Sequence, residues 1–197
     1  MEPSALFREI PCRYFTQPGP ANSSAVLAAV NRRAKELGLQ KVVLATNTGG
    51  TAYEALRLFD PGLKIIAVTH ETGFREANGQ ELPEAERRAL QGKGVAVVTA
   101  AHAFGGVGRA IRNAFGTYQA NELIAATFRL FGQGMKVAVE VTLMAADAGQ
   151  VRTDEDIIAV GGSGRGADTA LVLRPATSSH LFDLQVKEVI CKPVNLK

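Results

Sequence analysis

Short apolar runs alternate with amphipathic segments along most of this chain. Runs rich in valine, isoleucine and leucine predict strands at residues 41–45, 64–68, 95–99, 157–160, 169–173 and 184–190. Runs without polar positions are typical of strands that helices cover on both faces. Strands that alternate with helices therefore predict a mainly parallel sheet in a three-layer α/β/α fold.

Apolar positions at helical spacing predict the connecting helices. The first begins after the Asn22-Ser23-Ser24 cap and ends at Gly38, and two more follow at 51–59 and 83–90. Residues 108–148 have helical composition with breaks near Gly116 and at 132–134. The last piece, 135–148, contains alternating valines as a strand would, but its length and its end at Gly149 favour a buried helix.

The two ends of the chain differ from this regular pattern. Residues 1–21 contain four prolines and predict an irregular N-terminal arm on a single domain of 197 residues. The last two strands, joined by a turn at 175–179, predict an antiparallel strand at the sheet edge. An edge strand at 184–190 could pair with a second copy, which makes a homo-oligomer one alternative.

Charge, hydropathy and cysteine content argue against several classes of function. A net charge of +3 with scattered basic residues gives no reason to expect a nucleic-acid partner. No apolar run is long enough to span a membrane, and no signal peptide is visible, so we expect a cytoplasmic protein. Cys12 and Cys191 have no metal-type spacing and are expected to be free thiols.

Two glycine- and hydroxyl-rich loops follow predicted strands directly. They are Thr46-Asn47-Thr48-Gly49-Gly50-Thr51 and Gly161-Gly162-Ser163-Gly164-Arg165-Gly166. Glycines allow a ligand to approach backbone N–H groups, and the helix after the first loop presents its positive N-terminus. In a parallel sheet both loops lie at one edge, so they predict an anion site, although each loop could also serve only as a tight turn.

Two further loops are expected at the same edge. Residues 69–74 contain Thr69, His70 and Glu71, and residues 99–108 contain His102. Either histidine is a candidate general acid or base, with loop capping or simple ligand binding as the alternative. No carboxylates stand at matched spacing with them, so no metal site is predicted.

The sequence leaves alternative roles open for two acidic residues. Asp168 could orient Arg165, bind a sugar hydroxyl or form an ordinary turn. Glu140 lies on the predicted buried helix, where it is either paired with a basic group or directed into the site.

The motifs resemble a known domain. Residues 41–52 and 64–70, and residues 156–160 with Gly162-Ser163-Gly164, look like the C-terminal α/β domain of pyruvate kinase over roughly 22–175. The whole chain is similar to a stand-alone family of uncharacterised archaeal and bacterial proteins related to that domain. Members of that family bind flavin mononucleotide, and the resemblance implies the same fold and a phosphorylated ligand here.

The resemblance implies FMN bound at the strand ends, with a redox role as an extension. The residues expected to bind it are Thr46, Asn47, Thr48, Gly49, Gly50, Thr51, Thr69, His70, Glu71, Phe74, His102, Phe104, Gly105, Gly161, Gly162, Ser163, Gly164 and Asp168. Residues 104–134 would add cover to the pocket, with Phe104, Phe115 and Tyr118 either facing a flat ring or packing in the core.

Other functions remain open beside flavin binding. The same loops would suit a regulatory module that binds a sugar phosphate without chemistry, or an enzyme using His70 or His102. The catalytic barrel of pyruvate kinase, with its metal-binding carboxylates and its lysine, has no counterpart in these residues. We therefore do not expect phosphoryl transfer from phosphoenolpyruvate.

Overall fold

A single seven-stranded sheet organises the computed structural model, which describes residues 6–195. The strands are β1 Arg13–Phe15, β2 Lys41–Ala45, β3 Lys64–Thr69, β4 Ala96–Thr99, β5 Ile157–Gly161, β6 Thr169–Arg174 and β7 Gln185–Pro193. Their spatial order is β1-β7-β6-β5-β2-β3-β4. Strands β5, β2, β3 and β4 run parallel, and β6 is antiparallel to β5 and β7.

Six α-helices accompany the strands within the described residues. They are α1 Ser23–Leu37, α2 Gly50–Leu58, α3 Glu84–Gly92, α4 Gly106–Phe115, α5 Ala120–Arg129 and α6 Gln133–Asp147. Short 3₁₀ turns occur at Pro20–Asn22 and Ser178–Asp183. The ambiguous run at 135–148 is helical, as predicted, and nearly all its residues are buried.

Alternate side chains of the central strands enter two separate cores. Val42 and Leu44 of β2 pack with α1, α2 and α3 on one face, whereas Val43 packs with α5 and α6 on the other. Helices therefore cover both faces of the sheet, and the predicted three-layer, mainly parallel fold is confirmed.

The N-terminal arm is more regular than the sequence predicts. Its strand β1 pairs in parallel with the end of β7, with Arg13 opposite Cys191, and so forms the sheet edge. The prediction of a wholly irregular arm is wrong here because an open stretch of β7 supplies backbone partners. The predicted antiparallel strand near this edge is β6, with β7 and β1 beyond it. Cys12 and Cys191 are free thiols.

Helix α4 lies outside the core, whereas α5 reaches the core only through one face, with Ala125 buried. Helix α4 has no buried residue, and Phe115, Tyr118 and Leu130 are all exposed. Phe104 is buried and stacks on Phe128 with ring centroids 5.9 Å apart. Of the alternatives for these aromatic residues, core packing therefore holds for Phe104. None of the helices within residues 6–195 has the length and apolarity that crossing a membrane requires.

Helix α6 approaches the sheet unusually closely at its N-terminus. A β-carbon added to Gly161 at the end of β5 would lie 2.2 Å from the Gly134 carbonyl oxygen. A β-carbon on Gly134 would lie 2.1 Å from Thr169 Oγ1 and 2.5 Å from Asp168 Oδ1. Only glycine allows this contact, which places the first turn of α6 directly over the ends of β5 and β6.

We expect Gly134→Ala to destabilise the protein by about 2 kcal/mol, because overpacking a filled site costs about 1–3 kcal/mol and the blocking atoms belong to the fully buried side chains of Asp168 and Thr169. Urea denaturation measures the change. Gly92→Ala on α3 is the matched control, since its added β-carbon meets nothing within 4 Å. Equal stability of the two variants would contradict the packing role of Gly134.

Candidate functional site

The carboxyl ends of β2, β3, β4 and β5 lie at one edge of the sheet, where their loops enclose a cleft of about 810 Å³. Residues from the four loops, from α2 and α6 and from the N-terminal arm contribute to its walls. They are Pro20, Ser23, Ala45, Thr46, Asn47, Thr48, Gly50, Thr51, Glu54, Val68, Thr69, His70, Arg75, Glu81, His102, Gln133, Lys136, Val137, Glu140, Val141, Gly162, Gly164, Arg165 and Gly166.

The first predicted loop forms what we call the α2 end of the cleft, comprising Thr46, Asn47, Thr48, Gly50 and Thr51. Gly49 precedes α2 with φ of 95°, a left-handed conformation that favours glycine, and no side chain caps the helix. The first backbone N–H groups of α2 therefore have no partner within the helix or from a capping side chain. They carry the positive end of the helix dipole.

Thr46 has an unusual hydroxyl. The residue is 4% exposed, and its Oγ1 is the one buried side-chain polar atom in residues 6–195 that has no hydrogen-bond partner. Its backbone N–H donates to Val68 O at 2.9 Å, so Thr46 continues the β2–β3 pairing at the cleft edge. A buried hydroxyl without a partner is costly unless a bound group satisfies it.

The second predicted loop is held together by Asp168, which is fully buried. Its Oδ2 accepts the backbone N–H of Gly19 at 3.1 Å and that of Ser163 at 3.0 Å. The Thr169 hydroxyl donates to Oδ1 at 2.8 Å. Of the alternatives for Asp168, these contacts support a structural one: the carboxylate joins the loop to the N-terminal arm.

Glycine has different roles along this second loop. Gly161 is a packing residue under α6, whereas Gly162 allows the loop to close, since an added β-carbon would lie 2.2 Å from Gly166 O. Gly162 and Gly164 line the cleft with Arg165, which the prediction did not include among the binding residues.

His70 is part of an ordered cluster at the end of β3. Its Nδ1 lies 2.5 Å from Glu81 Oε2, and Arg75 Nε donates to Glu81 Oε1 at 2.9 Å. Burial opposes ionisation of Glu81, but the hydrogen bond from His70, together with the charge and hydrogen bond of Arg75, outweighs it. They hold the pKa of Glu81 below its usual value.

His102 and Phe74 pack around the His70 ring. The ring centroid of His70 is 4.1 Å from that of Phe74 and 5.2 Å from that of His102. His102 is buried, and this burial lowers the pKa of its imidazole despite the nearby carboxylates of Glu140 and Glu71. His102 is therefore a neutral wall of the cleft at pH 7.

A buried ion pair lies beneath these histidines on α6. Lys136 Nζ donates to Glu140 Oε2, and the two side chains are 7% and 6% exposed. Glu140 Oε1 also accepts the Phe104 backbone N–H at 3.1 Å. Burial lowers the pKa of Lys136, although the Glu140 carboxylate opposes this shift. Of the two alternatives for Glu140, both hold: it pairs with a base and lines the cleft.

The structure brings most of the predicted site residues together, but not all. Predicted residues that do not line the cleft are Gly49, Glu71, Phe74, Phe104, Gly105, Gly161, Ser163 and Asp168. From residues 104–134 only Gln133 does, so this segment adds little cover. Within residues 6–195 no three His, Cys, Asp or Glu side chains are grouped as metal ligands would be.

Several cleft residues were not predicted, including Arg75, Glu81 and Lys136. Lys136 and Glu140 are spaced i,i+4 on an otherwise apolar helix, and that spacing would have predicted their ion pair. Arg75 and Glu81 lie in an irregular connection with no periodicity, so nothing in the sequence predicts that they contact each other and His70.

A family comparison agrees with this architecture. The family model described as "Pyruvate kinase, alpha/beta domain" matches residues 24–173, which is most of the chain. This chain belongs to the pyruvate kinase alpha/beta domain family.

The similar solved structures are pyruvate kinases. A pyruvate kinase of Cryptosporidium parvum shares 16% identity with a TM-score of 0.39, covering 81% of this chain and 24% of that one. A C. parvum pyruvate kinase in complex with ADP shares 17% identity with a TM-score of 0.37, covering 79% of this chain and 24% of that one. This member of the family thus spans about a quarter of those enzymes' length.

Removing one partner of the Lys136–Glu140 pair should be strongly destabilising. We expect Lys136→Met to cost about 3–5 kcal/mol, because it leaves a buried carboxylate without its counter-ion. The double variant Lys136→Met/Glu140→Leu should recover most of that loss. Arg88→Met, which breaks the exposed i,i+4 pair with Glu84, is the control and should change urea stability little. A single variant as stable as the double would contradict this account.

His102 should make the fold sensitive to acid. Its pKa is lowered in the folded state, so the unfolded chain binds the proton more readily, and stability falls as pH drops below about 6.5. We expect His102→Gln to remove part of this loss in urea denaturation between pH 7.5 and pH 5. His180→Gln, at an exposed histidine, should keep the wild-type profile. Identical pH profiles for all three proteins would refute this role.

Proposed function

We propose that this protein binds a phosphorylated small molecule in the cleft, with FMN as the leading candidate. The observation that carries the proposal is the partnerless hydroxyl of Thr46, buried beside the uncapped N-terminus of α2. Helix N-termini of this kind bind phosphate through backbone N–H groups and the helix dipole. A phosphate oxygen would accept the hydrogen bond that Thr46 Oγ1 lacks.

The donors at the α2 end fit a phosphate well. Thr46, Thr48 and Thr51 line the cleft in the loop before α2 and in its first turn, and each has a hydroxyl that can donate to a phosphate oxygen. Arg165 from the opposite loop lines the same cleft and adds a positive charge. Neutral donors combined with one cation satisfy a dianion without a lysine-containing phosphate loop.

The rest of the cleft suits a larger ligand than phosphate alone. Its volume of about 810 Å³ lies in the range of cofactor pockets. Val68, Val137 and Val141 give it apolar wall, which would contact the face of a flat ring. Gln133 and Lys136, in the first turn of α6, would present an amide and an ammonium group to polar atoms of the ring.

A redox role is the second step of this proposal. Bound FMN would supply hydride or single-electron transfer. In the cleft, Lys136 would hold a positive charge that favours added negative charge on the ligand, while His102 and the valines would limit access of water.

A sugar phosphate is the second candidate ligand. Glu54 and Glu81 both line the cleft, and carboxylates accept hydrogen bonds from sugar hydroxyls. In this alternative the protein acts as a sensor without chemistry. Glucose 6-phosphate and ribose 5-phosphate are therefore the competitors against which FMN is to be compared.

Thr46→Val tests the proposal because it keeps the shape of the side chain and removes only the hydroxyl. We expect FMN, titrated by quenching of its fluorescence, to bind the variant at least about tenfold more weakly, since a hydrogen bond to a charged group is worth about 1.5–3 kcal/mol. Thr127→Val is the control, because Thr127 is exposed on α5 and bonds only to the Leu123 carbonyl.

Thermal denaturation ranks the candidate ligands. At a hundred times its dissociation constant, the true ligand adds about 2.7 kcal/mol of stability, or roughly 5–10 °C in melting temperature. A shift with FMN but not with the sugar phosphates supports the leading candidate, and the reverse supports the sensor. If no phosphorylated compound shifts the transition, the proposal is rejected.

A further inference from the structure

The three histidines of the chain have different surroundings, and only His70 combines a carboxylate partner with access to the cleft. His70 Nδ1 contacts Glu81 Oε2 at 2.5 Å, and Glu81 is itself held by Arg75. His180 lies in an exposed 3₁₀ turn outside the cleft, and His102 is buried. His70 is thus oriented as a catalytic base is oriented by a carboxylate.

The pairing with Glu81 determines which nitrogen of His70 is available. An ionised carboxylate can only accept a hydrogen bond, so Nδ1 carries the proton in the neutral imidazole. Nε2 is then the basic nitrogen, and within residues 6–195 it has no hydrogen-bond partner. The His70 side chain is 25% exposed and lines the cleft, so a ligand can reach the ring.

His70 is close to the proposed phosphate position. Thr46 and Val68 are hydrogen-bonded neighbours on adjacent strands, and His70 follows Val68 by two residues. Strand spacing and rise therefore place the two residues within roughly 10 Å of each other. A phosphate monoester at the α2 end would extend its organic part toward His70.

Charges around His70 are nearly balanced before a ligand binds. The Glu81 carboxylate and Arg75 guanidinium belong to the same connection, and His102 contacts the ring from the loop after β4. Arg109 of α4 lies 5.3 Å from the Phe74 ring centroid, and the Glu71 carboxylate accepts the His102 backbone N–H at 3.4 Å. Helix α6 contributes Lys136 and Glu140 to the cleft. A phosphate dianion bound at the α2 end would add negative charge on the open side of the His70 ring.

We propose that His70 is the acid–base group of the cleft, taking up a proton at Nε2 when a phosphate monoester binds and exchanging that proton with the organic part of the ligand. Glu81 is its positioning residue. This inference rests on the proposed phosphate site. In the step itself, neutral imidazole gains one proton from solvent, and the imidazolium returns to neutral when it passes that proton to an oxygen or nitrogen of the ligand.

Histidine NMR tests the ligand-free arrangement, and three histidines make the ¹⁵N spectrum simple to assign with single variants. We expect neutral His70 to show the Nδ1–H tautomer, and Glu81→Leu, which removes the acceptor, to abolish that preference. Glu84→Leu, at an exposed carboxylate of α3, should leave it unchanged. An Nε2–H tautomer in the wild type, or no effect of Glu81→Leu, would overturn the inference whether or not FMN binds.

Calorimetry tests proton uptake by the ligand-bound protein. FMN is titrated at pH 7 in buffers of different ionisation enthalpy, and wild type is compared with His70→Asn and with the control His180→Asn, at an exposed histidine outside the cleft. We expect wild type and His180→Asn to take up on the order of half a proton more per FMN than His70→Asn. Subtracting the proton uptake of His70→Asn from that of the wild type removes the contribution of any proton that FMN itself releases.

The outcomes separate the two proposals. Equal proton uptake by His70→Asn and wild type, with FMN bound to both, overturns the role of His70 and leaves the binding proposal intact. Failure of the wild type to bind FMN counts against the binding proposal, and the tautomer measurement then decides on the His70–Glu81 arrangement alone.

Discussion

The contact between Gly134 and Gly161 determines the geometry of the whole cleft. With no side chain on either residue, the first turn of α6 lies directly on the end of β5. That position carries Gln133, Lys136 and Glu140 to the edge where the parallel strands end. A larger residue at either glycine would lift the helix, and the polar side chains on its first two turns would move away from the loops opposite them.

The buried polar groups of the cleft differ in whether they already have hydrogen-bond or ion-pair partners. Lys136 and Glu140 satisfy each other, and Glu81 is satisfied by His70 and Arg75. Thr46 Oγ1 and the first N–H groups of α2 have no such partner, and Thr46, Gly50 and Thr51 line the cleft. In the proposed phosphate site these groups can all donate hydrogen bonds, so they would favour an anion over a cation.

Much of this molecule follows from local sequence. Apolar runs and glycine-terminated helices predicted six of the seven strands, the six helical segments and both loops, because these features depend on neighbours along the chain. Strand β1 was missed because three residues form it only when β7 is beside them. Gly161 and Asp168 were assigned to a ligand because a loop sequence does not reveal which of its residues pack inward. The meeting of Arg75 and Glu81 with His70 depends on the path of an irregular loop.

Asp168 joins two parts of the chain that are far apart in sequence, since its carboxylate binds the backbone of the N-terminal arm and of the second glycine loop at once. Detachment of the arm would remove a hydrogen bond from the buried carboxylate that shapes the loop. A ligand that required the loop in this form would therefore hold the arm in place as well. Because linkage is reciprocal, loosening the arm would then weaken that binding by the same factor.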